Sequence, residues 1–279
     1  MASASEPWGN NVTVDFEDGI AWVRFNRPEK KNAMSPALNA EMRETVYALA
    51  TDDRCGVFVL TGQGESFSAG MDLKEYFRET DNAPPTTLMD VRRTAEDWQW
   101  RRLRDYPKPT IAAVNGWCFG GAFTPLVGCD LAIAADEATF ALSEINWGIL
   151  PAGNVTKATI ETMGYRNALY YVMTGESFDG KKAAELGLVN ESVPRAQLED
   201  RTRELAQILL SKNQHVLRNA KLAMKRVRSM DWDTSADYLY AKLAEALHFG
   251  GAENREAAMK AFLDDKEFKP GVQHFKGTK

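Results

Sequence analysis

Apolar runs of strand length, set apart by helical stretches, constrain the fold of this 279-residue chain more than any other feature. Residues 56–61 (GVFVLT), 110–114 (TIAAV) and 131–135 (LAIAA) are too short for buried helices, and turn residues follow the second and third. Strands that alternate with helices make crossover units and a largely parallel sheet. The chain opens differently. Residues 12–16 and 20–25 are β-branched and aromatic runs joined by Asp18-Gly19, the signature of a tight hairpin. After a polar loop over residues 26–34, Ser35 and Pro36 read as an N-cap and first helical residue, with helical spacing of apolar residues through Leu49. Residues 86–106 read as one long helix carrying Trp98, Trp100 and Leu103, closed by Pro107 and Pro109. From Ala152 onward strands nearly vanish, and helices are expected over residues 156–173, 180–186, 195–211, 214–230, 235–247 and 255–262, with Gly187 as a C-cap. The expected class is α/β with a helical C-terminal section that begins near residues 195–200.

Composition removes several functions. Hydrophobic content of 44% with 26% charged residues is that of a globular protein able to bury a substantial core. The 34 Lys and Arg against 39 Asp and Glu leave a charge of −5, so no global positive field draws nucleic acid or anionic lipid. Cys55, Cys118 and Cys129 lack a CxxC spacing, and His215, His248 and His274 all fall in the last third, which indicates neither a zinc site nor a disulfide framework. The opening MASASEPWGNNVTV has neither a basic nor an apolar signal region, and no apolar run reaches membrane-spanning length. A cytoplasmic protein is expected.

Two glycine turns carry the chemistry. Residues 62–67 (GQGESF) follow a strand but lack the third glycine and the following helix of a dinucleotide site. No P-loop, GxSxG elbow or HExxH motif occurs. What remains is Ser68-Ala69-Gly70-Met71-Asp72-Leu73-Lys74 and Asn115-Gly116-Trp117-Cys118-Phe119-Gly120-Gly121-Ala122, each read as a turn between a strand and a helix. Such turns point bare backbone N–H groups outward and suit a negative oxygen. Either alone is best read as a tight turn; both together suggest an oxyanion hole. About two dozen residues beyond the second stands Glu144, flanked by FALS and INW. Burial there raises a carboxyl pKa toward the range useful for proton transfer, and the plain alternative is a structural cap or ion pair.

The segments FSAGMDLKE, VNGWCFGG, FALSEINWGI and TGESFDGKKAAELGLVNESVP, in this order, resemble the crotonase (enoyl-CoA hydratase/isomerase) superfamily over nearly the whole chain. AGMDLKEYFRE, NGWCFGG, LSEINWGI and DYLYAKL are similar to a branch that acts on hydroxycinnamoyl-CoA thioesters. The resemblance implies a crotonase-like core of repeated ββα units over residues 1–198 and a helical trimerisation or lid section over 199–279. It implies that the N–H groups of Met71 and Gly121 hold a thioester carbonyl, and that residues 69–74 (Ala69, Asp72, Leu73 and Lys74 among them) with Lys30 hold coenzyme A. Lys30, Lys31 and Lys74 are also cations on loops, although surface lysines are usually just solvated.

The same resemblance places the second glutamate of a two-carboxylate hydratase at position 124, where this chain has Thr124. Glu144 must then do the proton work alone, with Thr124 positioning water or simply packing a helix. Tyr76 and Tyr240 are implied to grip the para-hydroxyl of the substrate, beside Ser143 and Trp147. Phe77 and Trp147 are possible aromatic walls or core residues. The expected activity is hydration of a 4-hydroxycinnamoyl-CoA (feruloyl, caffeoyl or p-coumaroyl) and cleavage to a hydroxybenzaldehyde and acetyl-CoA. No metal or cofactor is expected beyond coenzyme A within the substrate, and the subunits are expected as trimers or dimers of trimers. The alternatives are a generic enoyl-CoA hydratase or isomerase and, from another class, a non-catalytic binder of RNA or a protein partner.

Overall fold

The computed structural model describes residues 8–267 and 269. They divide into two compact units, residues 8–106 with 110–202, and residues 107–109 with 203–267 and 269.

The first unit holds two sheets. β1 (Val12–Glu17) and β2 (Ile20–Phe25) pair antiparallel through a turn in which Asp18 and Gly19 both have positive φ, 46° and 84°. That conformation matches the right-handed twist of the two strands, which is why Asp-Gly is favoured there. β3 (Val57–Gly62) is buried along its whole length, as a strand covered on both faces should be. β4 (Ser66–Ser68) follows it. β5 (Thr110–Val114), β6 (Trp117–Phe119), β7 (Leu131–Ala135), β8 (Thr139–Ala141), β9 (Ser177–Asp179) and β10 (Glu191–Val193) complete the set. The larger sheet runs β1-β2-β3-β5-β7-β10, parallel from β2 onward; the smaller runs β4-β6-β8-β9, parallel except for its last pair.

The helices differ from expectation where local geometry is special. α1 (Pro36–Thr51) starts at Ser35, whose hydroxyl accepts from the Leu38 N–H at 3.2 Å, and it buries Leu38, Met42, Val46 and Leu49. α2 (Pro85–Glu96) runs into a wider π-turn over Asp97–Arg102 instead of continuing as the one regular helix that was expected. A π-turn holds an extra residue per turn, which no hydrophobic period reveals. β6, inside a segment read as a turn, confines that turn to Gly120 and Gly121. Strands of three residues are too short to show alternation.

α3 (Phe123–Gly128) is a single short helix. The helix expected over 156–173 is two helices, α4 (Val155–Met163) and α5 (Tyr165–Thr174), because Gly164 lies between them at φ 74°. α6 (Gly180–Glu185) is capped by Asp179, and α7 (Leu198–Leu210) carries the chain across residue 202.

In the second unit α8 (Gln214–Val227) is capped by Asn213 and α9 (Trp232–Ala246) by Asp231. The chain kinks at Phe249 and Gly250 before α10 (Ala252–Leu263). Among the described residues no helix is long and apolar enough to cross a membrane.

Candidate active site

The site grows out of the smaller sheet, where β4 and β6 each end in a glycine turn. After β4, Gly70 takes φ 88° and Met71 pairs with Met34 in an isolated parallel bridge. The Met34 N–H donates to Gly70 O at 2.8 Å, and the Asp72 N–H donates to Met34 O at 3.1 Å. Those bonds use the groups on either side of Met71, so the Met71 N–H itself points away from the bridge. After β6, Gly120 takes φ 50°, and the Gly121 N–H sits in the first turn of a 3₁₀ helix, where no helical carbonyl can accept it.

These two turns touch. A methyl on Gly70 would come within 2.5 Å of Phe119 O and 3.1 Å of Gly121 N. One on Gly121 would lie 3.3 Å from Met71 N. Only bare Cα atoms let the two backbones approach so closely, and the approach brings two N–H donors side by side.

Glu144 lies against the same turn. It is carried by the 3₁₀ segment Ser143–Trp147, which follows β8, the neighbour of β6. A methyl on Gly120 would be 2.9 Å from Glu144 Oε1 and 3.3 Å from its Cδ, so the carboxyl group rests on the naked Cα. Oε2 is buried and has no hydrogen-bond partner. Burial pushes the carboxyl pKa above the ordinary glutamate range, with a hydrogen bond from its own backbone working against the rise. A buried carboxylate oxygen without a partner is costly unless a proton or a ligand arrives.

The remaining predicted residues sort by what their side chains already do. Thr124 is 2% exposed in α3, and its hydroxyl donates to Gly153 O at 2.9 Å. The hydroxyl proton is thus held by the loop after Pro151, and the lone pairs remain to accept. Asp72 is buried: Oδ1 accepts from the Lys74 and Glu75 N–H groups, and Oδ2 from Arg27 at 3.0 Å. Burial works to raise its pKa, yet the donors from Glu75, Arg27 and Lys74 together hold it below the usual range. Its carboxylate therefore fixes the helical segment Leu73–Arg78 internally.

Tyr76, on that segment, is half-buried with its ring edge-on to Phe77 at 5.1 Å. Burial raises its pKa, Arg92 opposes the rise and Glu96 adds to it. Ala69 and Ser143 are half-buried, whereas Lys30, Leu73 and Lys74 are exposed, with Lys74 Nζ 3.7 Å from Glu79. Lys31 lies 3.1 Å above the Trp117 ring, and Trp147 stands 64% exposed. Tyr240 belongs to the second unit, on α9, where it is 73% exposed.

Three roles were not anticipated. Gly120 is the seat of Glu144. Arg27, 8% exposed, donates to Ala33 O, Asp72 and Glu75, tying the loop that carries Lys30 to the segment that carries Tyr76. Gln99, in the π-turn, reaches the Met71 thioether. A lone Arg before Pro28 and a Gln between two tryptophans give no signal in sequence.

A family model described as enoyl-CoA hydratase/isomerase matches residues 15–271. The chain is 60% identical over 276 residues to a hydroxycinnamoyl-CoA hydratase-lyase of Pseudomonas fluorescens, covering 99% of this chain and all of the relative. It is 33% identical to 4-chlorobenzoyl coenzyme A dehalogenase-2 of Arthrobacter, over 77% of both chains. Among solved structures, an enoyl-CoA hydratase from Bacillus anthracis superposes with a TM-score of 0.82 at 27% identity, over 91% of this chain and 96% of that one.

Proposed function

The chain belongs to the enoyl-CoA hydratase/isomerase family, and from that premise we propose that it is a lyase that hydrates 4-hydroxycinnamoyl-CoA thioesters such as feruloyl-CoA and then cleaves the product to a hydroxybenzaldehyde and acetyl-CoA. The observation that carries the chemistry is the single carboxylate. Glu144 presents a buried, unpartnered oxygen beside the paired Met71 and Gly121 turns, and the family resemblance puts the buried Thr124 where a second carboxylate would serve a two-glutamate hydratase. The full-length likeness to a hydroxycinnamoyl-CoA hydratase-lyase supports the substrate class.

In this reading the Met71 and Gly121 N–H groups bind the thioester oxygen and stabilise the enolate through which both steps pass. Glu144 takes a proton from water as oxygen adds to the β-carbon, then returns it to the α-carbon. In the second half it takes the β-hydroxyl proton. The Cα–Cβ bond breaks, the carbonyl of the aldehyde forms, and the released acetyl-CoA enolate takes the proton back from Glu144. No cofactor enters beyond the coenzyme A of the substrate. Tyr76 hydrogen-bonds the para-hydroxyl, phenol to phenol, and Tyr240, from the same subunit or a neighbouring one, does the same.

The protein works in the cytoplasm as a trimer or dimer of trimers. The exposed apolar side chains beside Glu144, Ile145 at 47%, Trp147 at 64% and Leu150 at 72%, support association.

Incubation with feruloyl-CoA tests the activity: vanillin and acetyl-CoA are expected, whereas a stable β-hydroxy thioester or mere double-bond migration leaves a generic hydratase or isomerase. Tyr76→Phe and Tyr240→Phe should each lower kcat/KM for p-coumaroyl-CoA by about 10-fold or more while sparing hydration of unsubstituted cinnamoyl-CoA, because each removes a partner of the phenol alone. Equal losses on both substrates would assign the tyrosines to packing.

The raised pKa of Glu144 also sets a pH dependence. The group works first as a base, and a raised pKa means that the carboxylate is lost as pH falls through a value above the ordinary glutamate range. The acid limb of kcat/KM, which reports the free enzyme, is expected above that range. A limb at or below it would contradict a desolvated base.

A further inference from the structure

We propose that Gln99 is a positioning residue for the oxyanion pair, acting through the side chain of Met71; the inference rests on the reading of Met71 and Gly121 as carbonyl donors. Gln99 is 5% exposed and lies in the π-turn Asp97–Arg102. Its Nε2 donates to Asn39 Oδ1 at 3.1 Å and lies 3.6 Å from both Met34 Sδ and Met71 Sδ. Asn39 is held in turn. Its Nδ2 donates to Ser35 O at 2.9 Å in the first turn of α1, and its Oδ1 also accepts from Trp98 Nε1 at 2.9 Å. Neighbouring residues of a regular helix point about 100° apart, so the convergence of Trp98 and Gln99 on one acceptor is what the wider turn provides.

On its other side the Met71 thioether meets Gly121. A methyl there would be 2.9 Å from Met71 Cγ and 3.3 Å from both Met71 Sδ and Met71 N. The Met71 side chain is therefore wedged between the Gln99 amide and the bare Gly121 Cα, next to its own N–H. Met34, the second sulfur contact, is the bridge partner of Met71, so one amide nitrogen lies against both sides of that bridge. Thioethers are weak acceptors, so the bond to Asn39 Oδ1 anchors the amide and the two sulfur contacts add little energy of their own. What they fix is where the Met71 side chain lies, and in that sense the polarity of Gln99 serves orientation. Holding Met71 holds the spacing of the two donors, which is where a displacement of an ångström costs rate.

The test uses the full chain and 4-hydroxycinnamoyl-CoA. In a Glu144→Gln background the bound thioester stays unreacted, and the red shift of its absorbance on binding reports polarisation of its carbonyl. Gln99→Met should reduce that red shift. In the otherwise native chain it should lower kcat by roughly 10-fold while KM changes little, as expected when an interaction made in the transition state is weakened. Met71→Leu removes the sulfur from the other end and keeps the N–H, so it should reproduce both effects, and the double variant should lose no more than the larger single loss. Should Gln99→Met fail to fold, Met71→Leu alone carries the test.

A folded Gln99→Met with the full red shift and native kcat overturns the proposal, as do additive losses in the double variant or a lowered Tm with unchanged spectrum. Absence of any red shift in Glu144→Gln itself overturns the oxyanion reading, and this proposal with it.

Discussion

Glu144→Gln is expected to abolish hydration and cleavage together, lowering kcat for each by on the order of 10²–10⁴-fold, the span typical of a lost general acid–base group, while binding of the acyl-CoA persists. The amide keeps the shape of the side chain and its contact with the Cα of Gly120, so the loss is chemical. It should be large for both steps because in the proposed mechanism one carboxylate serves both. Thr124, the nearest candidate by sequence, already donates its proton to Gly153 O, and a hydroxyl of ordinary pKa is a poor base. Steady-state assays of aldehyde release from feruloyl-CoA and of the hydrated intermediate, together with calorimetric binding of the thioester, separate the two effects. Retained cleavage in a folded Glu144→Gln would move the base elsewhere. Lost binding would mean instead that the carboxylate organises the site.

The second large effect is expected from Gly70→Ala. A methyl at this position meets the Phe119 carbonyl oxygen at 2.5 Å and lies 3.1 Å from Gly121 N, and φ is 88°. Neither neighbour is a side chain that can rotate away, so the two turns must part. Separating the N–H donors should cost about 10²–10³-fold in kcat/KM, the cost of losing one oxyanion donor. The positive φ should add roughly 1–3 kcal/mol of destabilisation, measured by thermal unfolding. Gly164→Ala is the control. Gly164 also has positive φ, but a methyl there meets nothing within 4 Å, and it lies between α4 and α5. That variant should lose stability and keep its activity per folded molecule. Equal catalytic losses in both would show that activity follows stability and not the contact between the turns.

How much of this was readable in the chain differs element by element. The Asp18-Gly19 hairpin and the buried strands at 57–62, 110–114 and 131–135 were legible because turn chemistry and apolar runs act locally. β4 and β6 were not, since three residues carry no period. The break at Gly164 was missed because a glycine inside an apolar stretch is compatible with either a helix or its end. Within the site, the glycine turns and Glu144 stood out as residue types. Arg27 and Gln99 did not, because their roles depend on partners 45 and 28 residues away, Asp72 and Met71.

The sequence by itself determined the Asp18-Gly19 hairpin, the longer buried strands and most of the helical stretches, the positions where backbone must turn without a side chain, and the presence of a carboxylate at Glu144 after the second glycine turn. These follow from local propensity and from which residue types are present. Tertiary structure alone decided that the turn after β4 lies against the turn after β6, that Glu144 comes to rest on Gly120 with one oxygen unpartnered, and that Asp72 is consumed by Arg27 and its own helix. Each of those is a contact between segments far apart in the chain. Its energy depends on distance and burial, which exist only once the sheet has brought the segments together.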